Sequence, residues 1–261
     1  METGFFPFIL KGHMYLWLPP EIGRVVVMVV TLLFFVMILS GLILWLPKNV
    51  ATCKKRIWFY WNNASNWKRK NWDLHTVFGF YSCVFAFLFI VTGLVWVLPT
   101  FAEVYHQAIG GKKSMVYQDA VSSKQDKKLD KPLDKLYVQY KSSSILFASI
   151  ELHPPETDSA SILVVTNPAY GSYWKSDYIF YDQNSLHELP VNHIWSKFHD
   201  ATTADKILRL NYDLHVGSVL GFWGKLLACL ASLLIALLPV TGFLIWFGKQ
   251  KKSSFWSGSI Y

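Results

Sequence analysis

The sequence predicts a membrane all-α bundle of three transmembrane helices, with a small α+β domain inserted between the second and third helices. Three apolar segments are almost free of charged residues. At about 1.5 Å per residue, each is long enough to cross a hydrocarbon core of roughly 30 Å. Hydrophobic residues make up 52% of the chain, a composition typical of membrane proteins. The insertion carries both charge signs and short β-branched segments, which indicate a folded domain in water.

The apolar segments divide the chain into consecutive stretches. In order, they are an aromatic interfacial lead-in (1–21), transmembrane helix 1 (22–46), a basic loop (47–74), transmembrane helix 2 (75–98), the insertion (99–210), transmembrane helix 3 with a histidine-bearing start (211–247) and a tail (248–261). The basic loop has no acidic residue before Asp73, and the tail opens with a lysine cluster. The positive-inside rule therefore predicts that both are cytoplasmic and that the insertion is extracytoplasmic.

The insertion is predicted to contain one helix and four strands. Pro132 precedes the amphipathic sequence LDKLYVQY, which favours a short helix, and the charged stretch 124–135 is typical of a linker. Strands are predicted at 146–152, 161–166, 177–182 and 186–189, where β-branched and aromatic residues alternate or cluster.

The formal net charge of +8 does not indicate a nucleic-acid partner. The basic residues lie mainly beside the apolar segments, where they orient a membrane protein. We therefore predict the membrane as a partner and no nucleic acid. Transport is disfavoured, because Pro239 is the single helix breaker inside the apolar segments and these segments lack acidic residues.

The third apolar segment repeats the design of the first. The first copy contains His13, Gly23-Arg24, Ser40-Gly41 and Trp45, and the second contains His215, Gly224-Lys225, Thr241-Gly242 and Trp246. The spacings agree to within one residue, so the two copies are expected to do the same structural job. Two histidines at matched heights suggest two ligands of one object.

The same residues carry a resemblance. The third helix reads His-x-Gly, Gly-Lys and Thr-Gly-x3-Trp, and the second reads Asp-Leu-His followed by Thr92-Gly93. With the insertion between them, these motifs resemble the PepSY-associated transmembrane proteins, which include di-haem inner-membrane reductases of ferric siderophores. The resemblance covers nearly the whole chain. It implies that the insertion is a PepSY-like domain and that the protein is multi-pass in a bacterial cytoplasmic membrane.

The resemblance also implies a larger assembly. The usual core of the family has four helices, of which the first begins with Lys/Arg-x-His and is followed by a first PepSY domain. The three helices of this chain match the second, third and fourth. We expect the N-terminal half either to be encoded separately or to be missing from a truncated product.

Haem b is the expected cofactor. His13 and His215 are predicted to be the axial ligands of one haem near the extracytoplasmic surface, because neutral imidazoles on two helices suit haem iron. Arg24 and Lys225 are matched cations that could pair with its propionates. Interfacial histidines and snorkelling cations are the alternative explanation. The resemblance implies that His75 serves a second, inner haem only when a partner helix supplies the other ligand; the alternative is a polar residue at a helix start beside Asp73.

Two functions follow from these expectations. The first is transmembrane electron transfer, from an unidentified cytoplasmic or quinone donor to the iron of a ferric siderophore, with the redox chemistry supplied by the haem. The second is a non-enzymatic membrane-anchored PepSY module that binds or regulates an extracytoplasmic protein. Substitution of His13 and His215 should abolish the first function and spare the second.

Overall fold

A computed structural model of the chain describes residues 4–47, 50–62, 65–123, 129–143 and 146–256. The chain forms two compact units. The membrane unit comprises Met1–Leu98 and Lys225–Tyr261, and the inserted domain comprises Pro99–Gly224. Part of the predicted linker (124–128) and the end of the predicted tail (257–261) lie outside the described residues.

The secondary structure consists of eight α-helices and one sheet in the described part of the chain. The helices are α1 (Phe5–Tyr15), α2 (Pro20–Trp45), α3 (Val50–Ile57), α4 (Trp67–Val97), α5 (Pro99–Ala108), α6 (Pro132–Lys141), α7 (Thr203–His215) and α8 (Gly221–Trp256), and the strands are β1 (Ser149–His153), β2 (Ile162–Asn167), β3 (Asp177–Tyr181) and β4 (Glu188–Leu189). Short 3-10 turns occupy Phe198–Asp200 and Ser218–Leu220.

The three predicted spans are confirmed as candidate membrane helices by length and composition. Among the described residues they are Pro20–Trp45, Trp67–Val97 and Ser218–Gly248, with mean hydropathies of 2.9, 2.2 and 2.4. None of the most apolar window of the first span is buried within the protein. Apolar side chains that face outward suit a lipid environment. A helix is also suited to lipid because its backbone polar groups are bonded within the helix. The chain is a membrane protein.

Aromatic side chains pack α2 against α4. The rings of Trp45 and Phe80 stack with their centroids 4.0 Å apart, and those of Phe35 and Phe87 lie 5.9 Å apart. Helix α1 folds back onto the start of α2 at Gly23. A Cβ at Gly23 would lie 2.4 Å from the carbonyl oxygen of Tyr15, so this close approach requires glycine.

Helix α4 begins earlier than the sequence analysis predicted. Its N-cap is Asn66, whose side chain accepts a hydrogen bond from the backbone N–H of Arg69 at 2.9 Å. This cap starts the helix at Trp67, within the stretch predicted to be loop. His75 therefore lies about two turns inside the helix and does not open it.

The start of the third span also differs from the sequence prediction. The stretch predicted as transmembrane helix 3 with a histidine-bearing start (211–247) contains two helices, because α7 ends at His215 and α8 begins at Gly221. Gly217 and Gly221 have φ angles of 75° and 60°, in the left-handed region that interrupts a helix and favours glycine. Gly224 then packs against this turn, since a Cβ there would lie 2.0 Å from the Gly217 carbonyl oxygen.

The inserted domain is built on an antiparallel sheet of order β1-β2-β3-β4. The predicted α+β architecture is confirmed, with strand ends that differ by a few residues from those expected. Helix α6 covers one face of the sheet, where Leu136 packs against Ile162, Val164 and Tyr181. Pro132 is the first residue of this helix, as expected from its fixed φ and missing N–H.

Candidate functional site

His75 is held by a hydrogen bond between two spanning helices. Its Nδ1 lies 2.9 Å from Oγ1 of Thr241. The Thr241 hydroxyl also lies 3.0 Å from the carbonyl oxygen of Leu238 in its own helix. A hydroxyl has one hydrogen and a carbonyl has none, so a hydroxyl that donates to Leu238 accepts from Nδ1–H of His75. This tautomer leaves the lone pair of the imidazole on Nε2, which is the atom a metal would take.

Helices α4 and α8 lie close together around His75. Asn71, one turn earlier on α4, is buried and donates from Nδ2 to the Thr241 carbonyl at 3.0 Å. A Cβ at Gly242 would lie 3.3 Å from Cε1 of His75. The small Thr241-Gly242 pair therefore allows α4 to approach α8 closely. At Gly41, by contrast, such a Cβ would meet no described atom within 4 Å beyond its chain neighbours and the backbone of its own helix.

We expect the Thr241→Val substitution to weaken the α4–α8 contact by about 1 kcal/mol, the usual size of one interhelical hydrogen bond. A double-mutant cycle with His75→Leu, measured by unfolding in detergent micelles, isolates this coupling. Ser232→Ala on α8 is the control, because the Ser232 hydroxyl donates within its own helix to Ala228. A cycle with no coupling between His75 and Thr241, or with equal coupling to Ser232, would contradict the assigned bond.

His13 and His215 occupy equivalent local frames. His13 lies in the last turn of α1, and His215 is the last residue of α7. Each short helix is followed by a brief turn and then by a spanning helix. A buried glycine, Gly23 or Gly224, fits that spanning helix against the preceding turn. His13 is exposed and His215 is half-buried. That the two rings clamp one haem stays a prediction.

The two matched cations lie at the starts of the spanning segments. Arg24 is exposed, and its guanidinium carbon lies 5.7 Å from the centroid of the Tyr15 ring, within the range of a cation–π contact. This contact places Arg24 beside the turn of helix that carries His13. Lys225 is exposed on the first turns of α8. Both side chains are accessible to an anionic group.

A feature that sequence reasoning missed is the repeated Asp-Leu-His motif. Asp73 and Asp213 each precede a candidate histidine by two residues and are 4% and 0% exposed. Asp73 accepts hydrogen bonds from Nε1 of Trp61 at 3.1 Å and from Nε of Arg69 at 2.9 Å.

Asp213 is bonded more fully. Its carboxylate accepts from the backbone N–H groups of Tyr173 and Trp174 and from the Ser218 hydroxyl. Each aspartate thus ties its helix to another segment, two residues before the candidate histidine. The occurrence of the same three letters at 73–75 and 213–215 was the available sequence signal.

His106 is buried in the inserted domain and is not a surface residue. It is 2% exposed, and its Nε2 lies 2.9 Å from Oδ1 of Asp205. Asp205 also forms a capping box with Thr202 at the start of α7. Burial by itself would raise the pKa of Asp205, but the hydrogen bonds from Thr202 and His106 outweigh it and lower that pKa. The His106–Asp205 hydrogen bond therefore joins α5 to α7 and has a structural role.

The other histidines of the inserted domain do not form a metal site. His153, His187 and His199 are exposed, whereas His193 is 2% exposed and lies against the rings of Tyr117 and Phe180. In the part of the chain that the structure describes, no group of three or more His, Cys, Asp or Glu residues could hold a metal ion. A haem takes two axial ligands, so this observation does not test the His13–His215 prediction.

The fold and these motifs define a class of protein: a polytopic membrane protein whose second and third spans are joined by an α+β domain, with histidines beside its spans. The chain matches the PepSY-associated TM region over residues 1–249. It therefore belongs to the PepSY-associated transmembrane family. No curated protein matches the chain.

Proposed function

We propose that this protein is a haem b-bearing electron-transfer protein of the bacterial cytoplasmic membrane, in which His13 and His215 ligate one haem near the extracytoplasmic surface. The observation that carries the proposal is the repeated frame: a short helix, a histidine in its last turn, a tight turn and a spanning helix seated by glycine. Because this arrangement occurs twice, the two imidazoles would reach the membrane boundary in the same way.

The chemistry of the donors fits haem. Imidazole binds iron through one nitrogen, while the other nitrogen usually holds the ring through a hydrogen bond. His75 has this arrangement, with Nδ1 bonded to Thr241 and Nε2 left as the donor atom. His75 would serve a second, inner haem when a partner helix supplies the opposite ligand. Arg24 and Lys225 would pair with the propionates of the outer haem.

When bound, haem supplies one-electron chemistry between Fe(III) and Fe(II). The chain would contribute the histidine nitrogens, the aspartates that tie down the helices of His75 and His215, and apolar helices that exclude water. Electrons would enter from a cytoplasmic or quinone donor and leave on the side of the inserted domain. Ferric siderophore iron is the proposed acceptor there, since its reduction to Fe(II) needs one electron and releases the metal from ligands selective for Fe(III).

Optical spectra of the full chain, purified in detergent from a haem-sufficient host, test this proposal. We expect a Soret band in the oxidised sample and a sharp α band after addition of dithionite. Carbon monoxide should leave the reduced spectrum nearly unchanged, because His13 and His215 would both bind the iron and leave no site for the gas. A chain that shows no Soret band even after reconstitution with haem would exclude the proposal.

The alternative, a membrane-anchored module that binds an extracytoplasmic protein, has one observation in its favour. The inserted domain has an open groove of about 620 Å³ beside the end of α6, lined in part by Tyr140, Thr166 and Asp177. A binding function located there would not depend on His13 or His215. If the variant that lacks both histidines still bound its extracytoplasmic protein, this alternative would be favoured.

A further inference from the structure

The connection between β2 and β3 is an ordered loop rich in aromatic residues. Residues 168–175, which we name the aromatic loop, have the sequence PAYGSYWK. Asn167 fixes its first half, accepting from the Ala169 N–H at 3.0 Å and donating from Nδ2 to the Ser172 carbonyl at 2.6 Å. Gly171 allows the turn with a φ of 70°. The loop therefore has a defined shape of its own.

The second half of the aromatic loop is fixed by Asp213. The backbone N–H groups of Tyr173 and Trp174 donate to this carboxylate at 3.1 and 2.9 Å. The Ser218 hydroxyl donates to the same carboxylate at 2.6 Å. Asp213 is fully buried, so these bonds are shielded from water and are correspondingly strong. One carboxylate thus joins the loop to the first turn after α7.

This shared carboxylate holds the loop close to the first residue of a candidate span. Ser218 is the first residue of the candidate span Ser218–Gly248. Two hydrogen bonds of about 3 Å each, on a carboxylate about 2 Å wide, place the loop backbone within about 8 Å of the start of the span. The headgroup layer on each side of the hydrocarbon core has a thickness of the same order, roughly 5–8 Å.

The side chains of the loop suit that depth. Tyr170 is 87% exposed and Tyr173 is 47% exposed, and Tyr173 packs edge-on against Tyr212 of α7 with centroids 5.6 Å apart. Nζ of Lys175 lies 4.9 Å from the centroid of the Trp174 ring. Tyrosine and tryptophan concentrate at membrane interfaces because one end of the ring is apolar and the other can hydrogen-bond. An exposed lysine beside them can pair with lipid phosphates.

We propose that the aromatic loop is a membrane anchor of the inserted domain, with Tyr170 and Tyr173 in the headgroup layer and Lys175 against phospholipid phosphates. The anchor ties the domain to the bilayer at a second point beside its covalent connections to the spans. Since Asp213 lies two residues before His215, the same contact steadies the end of α7. The proposal does not depend on haem binding.

Depth-dependent fluorescence quenching of the full chain in nanodiscs tests the anchor. Cys53, Cys83 and Cys229 are replaced, and a single cysteine is introduced by Tyr170→Cys and labelled with an environment-sensitive fluorophore. The matched control is Glu156→Cys, an exposed position in the β1–β2 connection at the opposite end of β2. The length of β2 separates the two ends by roughly 20 Å. The lipids carry a nitroxide either on the headgroup or near the end of the acyl chain.

The headgroup nitroxide is expected to quench the probe at position 170 about threefold or more above the probe at 156, in keeping with an interfacial depth. It should also quench position 170 more than the acyl-chain nitroxide does. Equal quenching at the two positions would overturn the anchor, because the loop would then be as far from lipid as the control. Stronger quenching by the acyl-chain nitroxide would also overturn it, since the loop would lie in the hydrocarbon core.

Discussion

The variant that carries both His13→Ala and His215→Ala is expected to purify with almost no haem absorbance. If His13 and His215 hold the haem as proposed, loss of both would leave its iron without a protein ligand, and any remaining affinity would come from apolar contact and propionate pairing alone. Mutation of a metal ligand removes more affinity than mutation of its supporting residues, which typically costs 10- to 100-fold. The measurement is the haem-to-protein ratio from the pyridine haemochrome spectrum.

Two matched variants separate ligation from general damage. His199→Ala removes an exposed histidine of the inserted domain that pairs only with its neighbour Asp200 in the described contacts, so haem content should not change. His75→Ala should also leave the outer haem in place, because its proposed haem is the inner one. If the double variant keeps the haem content of the parent, or if His75→Ala alone abolishes it, the assignment of His13 and His215 is wrong.

The number and type of elements could be predicted from the sequence because each depends on local pattern. The spans depend on uninterrupted apolar length, and the strands 162–167 and 177–181 depend on β-branched and aromatic residues between turn residues. The start of α6 depends on Pro132. None of these features needs knowledge of a distant partner, and all of them are present in the structure.

The helix boundaries near the candidate histidines could not be predicted in the same way. The apolar pattern continues from α7 towards α8, yet Gly217 and Gly221 adopt positive φ angles and break it. A glycine inside an apolar stretch is also common within helices, so sequence alone does not distinguish the two cases. At the other boundary, Asn66 caps α4 inside a basic stretch that resembles a loop.

The roles of the polar side chains depend on tertiary contacts and were the least predictable. His106 is buried because Asp205, 99 residues later, accepts its bond. The Nδ1 atom of His75 meets Thr241 across 166 residues. The sequence shows that Thr241-Gly242 matches the small pair Ser40-Gly41 of the first repeat. It does not show that His75 and Asn71 are the residues that contact Thr241-Gly242.

Replacing Arg209 with methionine is expected to destabilise the inserted domain by about 3–5 kcal/mol, the usual cost of disrupting a buried charge network. Arg209 is 3% exposed and lies over the Tyr178 ring at 5.4 Å. Its guanidinium donates to the backbone carbonyls of Ile194 at 2.8 Å, Ser176 at 3.2 Å and Ser196. Methionine fills much of the same volume but has no donor, so all three carbonyls lose the guanidinium. The Ser196 carbonyl keeps the backbone N–H of Tyr178 at 3.4 Å, and each lost bond costs about 1–3 kcal/mol less whatever relaxation recovers.

Hydrogen exchange of the full chain in detergent, followed by mass spectrometry, measures this loss in peptides that cover β2 and β3. Exchange there should accelerate on the order of a hundredfold or more, because each 1.4 kcal/mol lost from the opening free energy is a factor of ten. Lys206→Met is the control: it removes the same charge from the same helix, but Lys206 is half-buried and its Nζ makes a cation–π contact with Phe198 at 4.7 Å. Such a contact contributes only about 0.5–1 kcal/mol.

Exchange in Arg209→Lys should fall between that in Arg209→Met and that in Lys206→Met, because one ammonium cannot satisfy three carbonyls held in the geometry of a guanidinium. If exchange in Arg209→Met equals that in Lys206→Met, the three carbonyls find other donors and the guanidinium does not hold segment 194–196 to α7.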